Sequence, residues 1–397
     1  MTRVTSFVRR EGARLVDDAG PVRFVLGNAY YLTEEAARRR IERVDETLRK
    51  LCDLGVTVAR VWAFNDDPGK PDSAIRRAPD RLEERGLRGL DRVLARARRA
   101  GVRLILPLVN YWEAYGGVGQ WCAWSGLPRP TVGDPRFFTD RGVRARFCAH
   151  VAALLDRVNP DTGIRYGDDP VVLAWELANE PRLAGGEDPA REGEGADPLA
   201  GWIREVGGVV RAHARQLISL GDEGHDRSFD GYDEAFWRRA GGAHLFAPGS
   251  GGAFAPHLAL DELDLASAHF YPEKWGLRPG AEREAGEAWI EEHARIAARA
   301  GKPFYVGELG LGNEGAPFAR LPLAERRAAY RAWLEAARRS GAAGIGPWLF
   351  AYDARPDRWD WFTWYCRDGL PLDAPENRYA DLVKEAAARL NEDADPR

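Results

Sequence analysis

Lysine is nearly missing from this chain. Five of its 57 basic residues are lysine (Lys50, Lys70, Lys274, Lys302 and Lys384) and the rest are arginine. With so much alanine alongside, this is a compositional bias and carries no functional signal. The basic residues are balanced by 61 acidic ones, for a net charge of −4, so the basic footprint of a nucleic-acid-binding protein is absent. Cysteine is scarce and scattered. Cys52, Cys122, Cys148 and Cys366 form no CxxC and have no paired histidine spacing, which argues against zinc. Free, mostly buried thiols are expected, with a disulfide as the alternative. No apolar run is long enough to span a membrane. Met1 to Phe7 lack the apolar stretch of a secretory leader, so the expectation is a cytoplasmic protein or a secreted one whose leader has been removed. No Gly-x-Gly-x-x-Gly follows the first apolar strand, which weakens a dinucleotide-binding fold.

What the chain does have is size and apolar content. Its 397 residues are 45% hydrophobic, ample for a large core. Fourteen tryptophans are many for this length. Indole stacks well on the C–H faces of sugar rings, and a large core also uses it, so both readings stay open for those in loops.

Short apolar runs recur along the chain. Strands are predicted at Val22–Gly27, Val56–Trp62, Val102–Val109, Val171–Trp175, Gln216–Leu220, Leu263–Phe270, Pro303–Gly307 and Gly344–Phe350. Helical patterns lie between them at Thr33–Leu54, Arg88–Ala100, Arg141–Arg157, Pro198–Arg215, Glu284–Ala300, Leu323–Ser340 and Asn377–Leu390. A hairpin over Phe7–Arg10 and Ala13–Asp17 precedes them. Ala184–Pro198 reads as an exposed Gly- and acid-rich loop, and Gly221–Glu262 as a long irregular insertion. Eight buried strands alternating with helices, without a linker or composition break, predict a (β/α)8 TIM barrel: one domain over residues 1–397 with long βα-loops.

Active sites in that barrel lie at the C-terminal ends of the strands. Here those ends carry Asn28 and Tyr30, Arg60 and Trp62, Asn110 and Trp112, Asn179 and Glu180, His269 and Tyr271, Glu308, and Trp348. A single polar strand end is usually just solvated. The whole set, following apolar strands, is hard to ascribe to chance. Two carboxylates on one face suggest acetal hydrolysis, one as a protonated acid and the other as an ionised nucleophile or base. Arg60 and a tyrosine hydroxyl would hold Glu308 ionised. Asn179 would bond the sugar 2-hydroxyl, Trp348 would form the floor under the ring, and His269 would orient a carboxylate or hydroxyl. The pair reads the acetal and leaves the identity of the sugar open.

These residues, in this order, resemble glycoside hydrolase family 5, the cellulase-type group of retaining β-glycosidases. The resemblance rests on Asn179-Glu180-Pro181, His269-Phe270-Tyr271, Gly307-Glu308 and Trp348. It is closer to the β-mannanase branch through Gly27-Asn28-Ala29-Tyr30-Tyr31, Arg60 to Asp66, Asn110-Tyr111-Trp112 with Tyr115-Gly116-Gly117, and Leu220 to Gly224. It implies cleavage of β-1,4-mannosidic bonds by double displacement, with Glu180 as acid/base and Glu308 as nucleophile, their carboxyl groups about 5–5.5 Å apart. It further implies that Arg60, Asn179, His269, Tyr271 and Trp348 hold the sugar being cleaved, that Arg182 contacts the leaving-group side, and that Trp62 and Trp112 stack on sugars, with Asn110 beside them. No metal or cofactor is implied. The expected partner is a β-mannan or manno-oligosaccharide, with no nucleic acid and no membrane, and the expected state is a monomer, with a dimer as the alternative. Loops at Gln120–Pro130 and Gly221–Glu262 would decide whether the cleft is open at both ends. The alternatives are an exo-β-mannosidase, a β-1,4-glucanase and a non-catalytic carbohydrate-binding barrel. A metal-dependent hydrolase is a further option that Asn28-Ala29-Tyr30 does not favour, since it supplies no His-x-His.

Overall fold

Runs of Val, Leu, Ile and Ala flanked by helices bury both faces by lying in a parallel sheet with the helices outside it. The computed structural model, which describes residues 4–130, 134–183, 197–355 and 360–394, has this arrangement. Its main sheet contains eight parallel strands. They are β1 (Phe24–Asn28), β2 (Val58–Arg60), β3 (Arg103–Pro107), β4 (Val172–Glu176), β5 (Leu217–Ser219), β6 (Ala266–Phe270), β7 (Phe304–Leu309) and β8 (Gly344–Pro347). The first strand pairs with the last through Gly344↔Phe24. The ring is narrowest in bonding between β5 and β6, where a single bridge, Ser219↔Leu265, joins them.

Alternation along each strand sends one residue inward and the next toward the helices. The inward set forms its own core of Phe24, Leu26, Val58, Ile105, Ala174, Leu217 and Tyr305, closed from below by Val8 and Leu15 of the N-terminal hairpin. That hairpin pairs Arg9–Glu11 with Arg14–Asp17, and a third short strand, Gly20–Pro21, extends it. Two residues beyond Leu26, Val58 and Ala174, in the same inward register, stand Asn28, Arg60 and Glu176, all buried. An apolar layer thus supports a polar one at the C-terminal mouth.

The outer helices pack by ordinary amphipathic spacing. Glu84–Ala100 buries Leu87, Leu90, Leu94 and Ala97 against the sheet, each leucine contributing about 1.5–3 kcal/mol. Several elements differ from the sequence reading. The helix expected over Thr33–Leu54 is two, Leu32–Ala37 and Ile41–Asp53. The break falls where Arg39 takes φ +64° and Arg40 N–H turns back to Glu35 O at 2.9 Å. The eighth strand ends at Pro347, and Phe350–Ala351 pairs instead with Trp364–Tyr365. The 221–262 insertion is ordered. It holds the helix Glu234–Ala240, whose Trp237 packs on Trp289 and donates to Glu292 at 2.7 Å. The expected acid-rich loop from Ala184 falls, over residues 184–196, outside the described residues. All four cysteines are free, with Cys122 buried and the others half-buried. Among the described residues no helix is long and apolar enough to cross a membrane.

Candidate active site

The site is built upward from Glu176. At the C-terminal end of β4 it is fully buried, a costly position for a carboxylate unless it is paired. Arg60 of β2 supplies the charge, donating to Glu176 Oε2 from Nε at 2.9 Å and Nη2 at 2.7 Å. The Tyr305 hydroxyl of β7 donates to the other oxygen at 2.5 Å. Held from below, the guanidinium turns remaining N–H groups to the mouth. Nη1 donates to Glu308 Oε1 at 2.5 Å and Nη2 to Asn179 Oδ1 at 2.7 Å. Asn179 passes its own N–H on to Asn110 Oδ1 at 3.0 Å. Glu176 does not stand out in the sequence as a site residue. Its signal was parity, since it lies two residues beyond an inward-facing alanine.

Glu308 meets His269 through an irregularity in register. Along β6 and β7, Ala268 pairs with Val306 but His269 pairs with Glu308, so Gly307 is the extra residue of a β-bulge. Glu308 receives the Tyr271 hydroxyl at 2.6 Å in addition to Arg60. His269 Nδ1 lies 2.7 Å from Glu180 Oε1 and 3.7 Å from Glu308 Oε1.

Glu180 follows the end of β4 with φ +54°, a left-handed conformation that costs a residue with a Cβ of order 1–3 kcal/mol and is found mainly where the surroundings enforce it. Its N–H donates to Gly221 O at 2.8 Å. Gly221 must be glycine here, because a Cβ would lie 1.9 Å from Ala178 O. Trp112 Nε1 donates to Glu180 Oε2 at 2.5 Å. Oxygens of Glu180 and Glu308 and a nitrogen of His269 all lie within 4.8 Å of one another. The three could offer ligand atoms to a cation, but Arg60 already supplies positive charge to Glu308.

Burial raises the pKa of both carboxyls. At Glu180 it is opposed by the Trp112 N–H and by Arg182 and Arg60. At Glu308 it outweighs His269, Arg60 and the Tyr271 hydroxyl, and the Glu180 charge adds to the rise. Arg60 and the Tyr271 hydroxyl do favour the ionised form of Glu308, as the sequence leads one to expect, while desolvation makes the net shift upward. The asymmetry between the two survives. Glu308 has a guanidinium in contact, whereas Glu180 has a neutral indole and an imidazole that burial keeps below its ordinary pKa. With one proton on the pair, Glu180 is the better place for it.

Above the carboxylates opens a cleft of about 540 Å³. Trp62, Asn110, Trp112, Asn179, Glu180, Arg182, Tyr271, Glu308 and Trp348 line it. Arg60 and His269 do not. They are 1% and 0% exposed and lie behind the wall, so they touch the carboxylates where contact with a sugar was expected. Asn28 is also structural: its Nδ2 donates to Gly307 O at 2.8 Å and ties β1 to β7. Arg182 pairs with Glu223 and lies 5.5 Å over the Trp112 ring. Burial, with the Glu180 charge, pushes Glu223 up to about 7. The wall also contains Tyr115, Lys274, Trp275, Asp360 and Phe362, which the sequence reading did not single out for the cleft. They come from loops with no strand to mark them.

Residues 5–245 match the family described as GH family 5 beta-mannosidase-like. The chain is 32% identical to mannan endo-1,4-beta-mannosidase 2 of Oryza sativa subsp. japonica, over 97% of this chain and 84% of that one. Among solved structures it superposes on the endo-beta-1,4-mannanase from Thermotoga petrophila with a TM-score of 0.80 and 28% identity, covering 95% of this chain and 78% of the other. The endo-1,4-beta-mannanase from Rhizomucor miehei gives 0.78 and 26%, covering 98% and 99%.

Proposed function

The chain belongs to the β-mannosidase-like group of glycoside hydrolase family 5 and is a glycosidase of β-1,4-mannosidic bonds; on that premise we propose that it cuts mannans or manno-oligosaccharides internally, with Glu180 as acid/base and Glu308 as nucleophile. The observation that carries these roles is the opposed pair of buried carboxylates, oxygens within 4.8 Å, of which only Glu308 accepts a hydrogen bond from a guanidinium. Oxygens this close suit the direct attack of a retaining enzyme better than the wider spacing of an inverting one.

In the first step a Glu308 oxygen attacks the anomeric carbon. The bond to the leaving oxygen breaks as Glu180 gives that oxygen its proton. The bond electrons leave with the aglycone, and the sugar is held as an ester of Glu308. Glu180, now ionised, takes a proton from water, and the water oxygen displaces Glu308 at the same carbon. Arg60 and Tyr271 hold the attacking carboxylate and stabilise it again when it departs. His269 orients Glu180. Asn179 reaches the sugar beside the nucleophile, Trp348 and Trp62 give it apolar faces, and Trp112, Asn110 and Arg182 line the aglycone side. Strands from Phe24 to Pro347 share one sheet, which supports a single catalytic domain.

The test is a product profile over time on β-1,4-mannohexaose, with cellohexaose alongside. Mixed mid-length manno-oligosaccharides at early times are expected. Mannose or mannobiose alone from the start would replace endo with exo action, and cleavage of the glucose chain alone would overturn the substrate.

A further inference from the structure

Residues 360–365 run as a strap beside the end of β8. At its start the Asp360 carboxylate accepts three hydrogen bonds. Trp348 Nε1 donates to Oδ2 at 2.5 Å. The Phe362 N–H and the Thr363 hydroxyl each donate to Oδ1 at 3.0 Å. The strap is itself anchored. Asn313 N–H donates to Trp361 O at 2.7 Å and Asn313 Nδ2 to Thr363 O at 2.9 Å. Trp364 N–H donates to Leu349 O at 2.9 Å. The acceptor offered to the indole is therefore fixed in space.

Trp348 needs such an acceptor. Tyr30 stacks on it with centroids 5.4 Å apart and planes 6° apart. Stacking sets the plane of a ring but leaves it free to slide and turn within that plane. A charge-assisted bond to the edge N–H removes that freedom. The strap also reaches the carboxylate side of the cleft, because Phe362 packs against Tyr271 at 5.1 Å, and Tyr271 donates to Glu308.

We propose that Asp360 is a positioning residue of this glycosidase: its carboxylate fixes the Trp348 indole so that one face is presented to the sugar in the cleft that Glu308 lines. The inference rests on the function proposed above. A misplaced floor costs most in the transition state, where the ring must distort over it, while a long oligosaccharide keeps its grip through its other rings.

The test is a double-mutant cycle on β-1,4-mannohexaose with wild type, Asp360→Ala, Trp348→Phe and the double variant. Phenylalanine keeps an apolar ring but has no N–H to hold. Asp360→Ala is expected to lower kcat/KM by about tenfold, mainly through kcat, and to cost less than about twofold when Trp348 is already phenylalanine. Asp360→Asn, which keeps the volume and one acceptor oxygen, recovers most of the loss in the wild-type background. Single effects that multiply in the double variant overturn the proposal, as does an Asp360→Ala enzyme equal to wild type. If Asp360→Ala does not fold, Asp360→Leu, which keeps the volume but has no acceptor for the indole N–H, goes through the same cycle with the same criterion. A wild type that leaves mannohexaose uncut defeats the function itself. A wild type that cuts it, with multiplying effects, defeats only the role of Asp360.

Discussion

Gly307 and His269 make a contact that only glycine permits. A Cβ at position 307 would lie 2.8 Å from His269 Nε2 and 3.0 Å from its Cδ2. The glycine is the bulged residue that brings His269 opposite Glu308, and it leaves the imidazole free to place Nδ1 2.7 Å from Glu180. Gly307→Ala should therefore push the ring off Glu180. The expected result is a fall in kcat/KM of at least about tenfold, with a stability loss of about 1–3 kcal/mol from overpacking. Steady-state kinetics beside a denaturant melt measure both, and an unchanged kcat/KM would contradict the contact's role.

The two glutamates should fail differently. Glu308→Ala removes the attacking group and should lower kcat by about four orders of magnitude on any β-mannoside. Glu180→Ala should be as damaging on oligosaccharides. On an aryl mannoside with a good leaving group it should spare the first step and show a burst of phenol, since that step needs no proton. Rapid-mixing kinetics on both variants separate these outcomes, and substantial residual turnover by Glu308→Ala would remove it as nucleophile.

Activity requires Glu308 ionised and Glu180 protonated, so the pH profile should be a bell with Glu180 setting the alkaline limb. The Trp112 N–H favours the ionised form of Glu180 and so lowers its pKa. Removing it in Trp112→Phe should raise that pKa and carry the alkaline limb of kcat/KM upward, by up to about one pH unit. A limb that stays put or moves downward would show that another group sets it.

Asp66 is buried beneath the loop that carries Tyr115, and its carboxyl is pushed up from 3.8 to about 7 by burial, only partly offset by Trp121 and Arg76. The folded state keeps this proton where the unfolded chain has released it. The stability it contributes is full below pH 3.8 and is lost as pH rises through about 7. Asp66→Asn mimics the neutral acid and should lose less stability across that window, by on the order of 2–3 kcal/mol. Unfolding free energies at pH 4.5 and 7.5, values chosen about the two ends of the window, test this; equal losses for the two proteins would refute it.

Eight strands, the helices between them and the polar strand ends are legible in the residues alone, because burial on both faces writes itself as short apolar runs and a barrel mouth as the residues after them. The sequence marked Glu180, Glu308, Arg60 and His269 as residues to be brought together, and the fold brings them together. What it did not contain was the depth of each. Arg60 and His269 lie behind the wall and Glu176 beneath it, since inward or outward facing depends on register, and register at His269 is decided by a bulge that no single strand encodes. Nor did it contain Asp360, Phe362 and Lys274 in the cleft, because those loops have no period and their positions are fixed only by what they pack against. Electrostatics followed the same division. Donors around Glu308 were legible as residue types, but only the folded structure decided that burial outweighs them, since desolvation is a property of everything packed around the group.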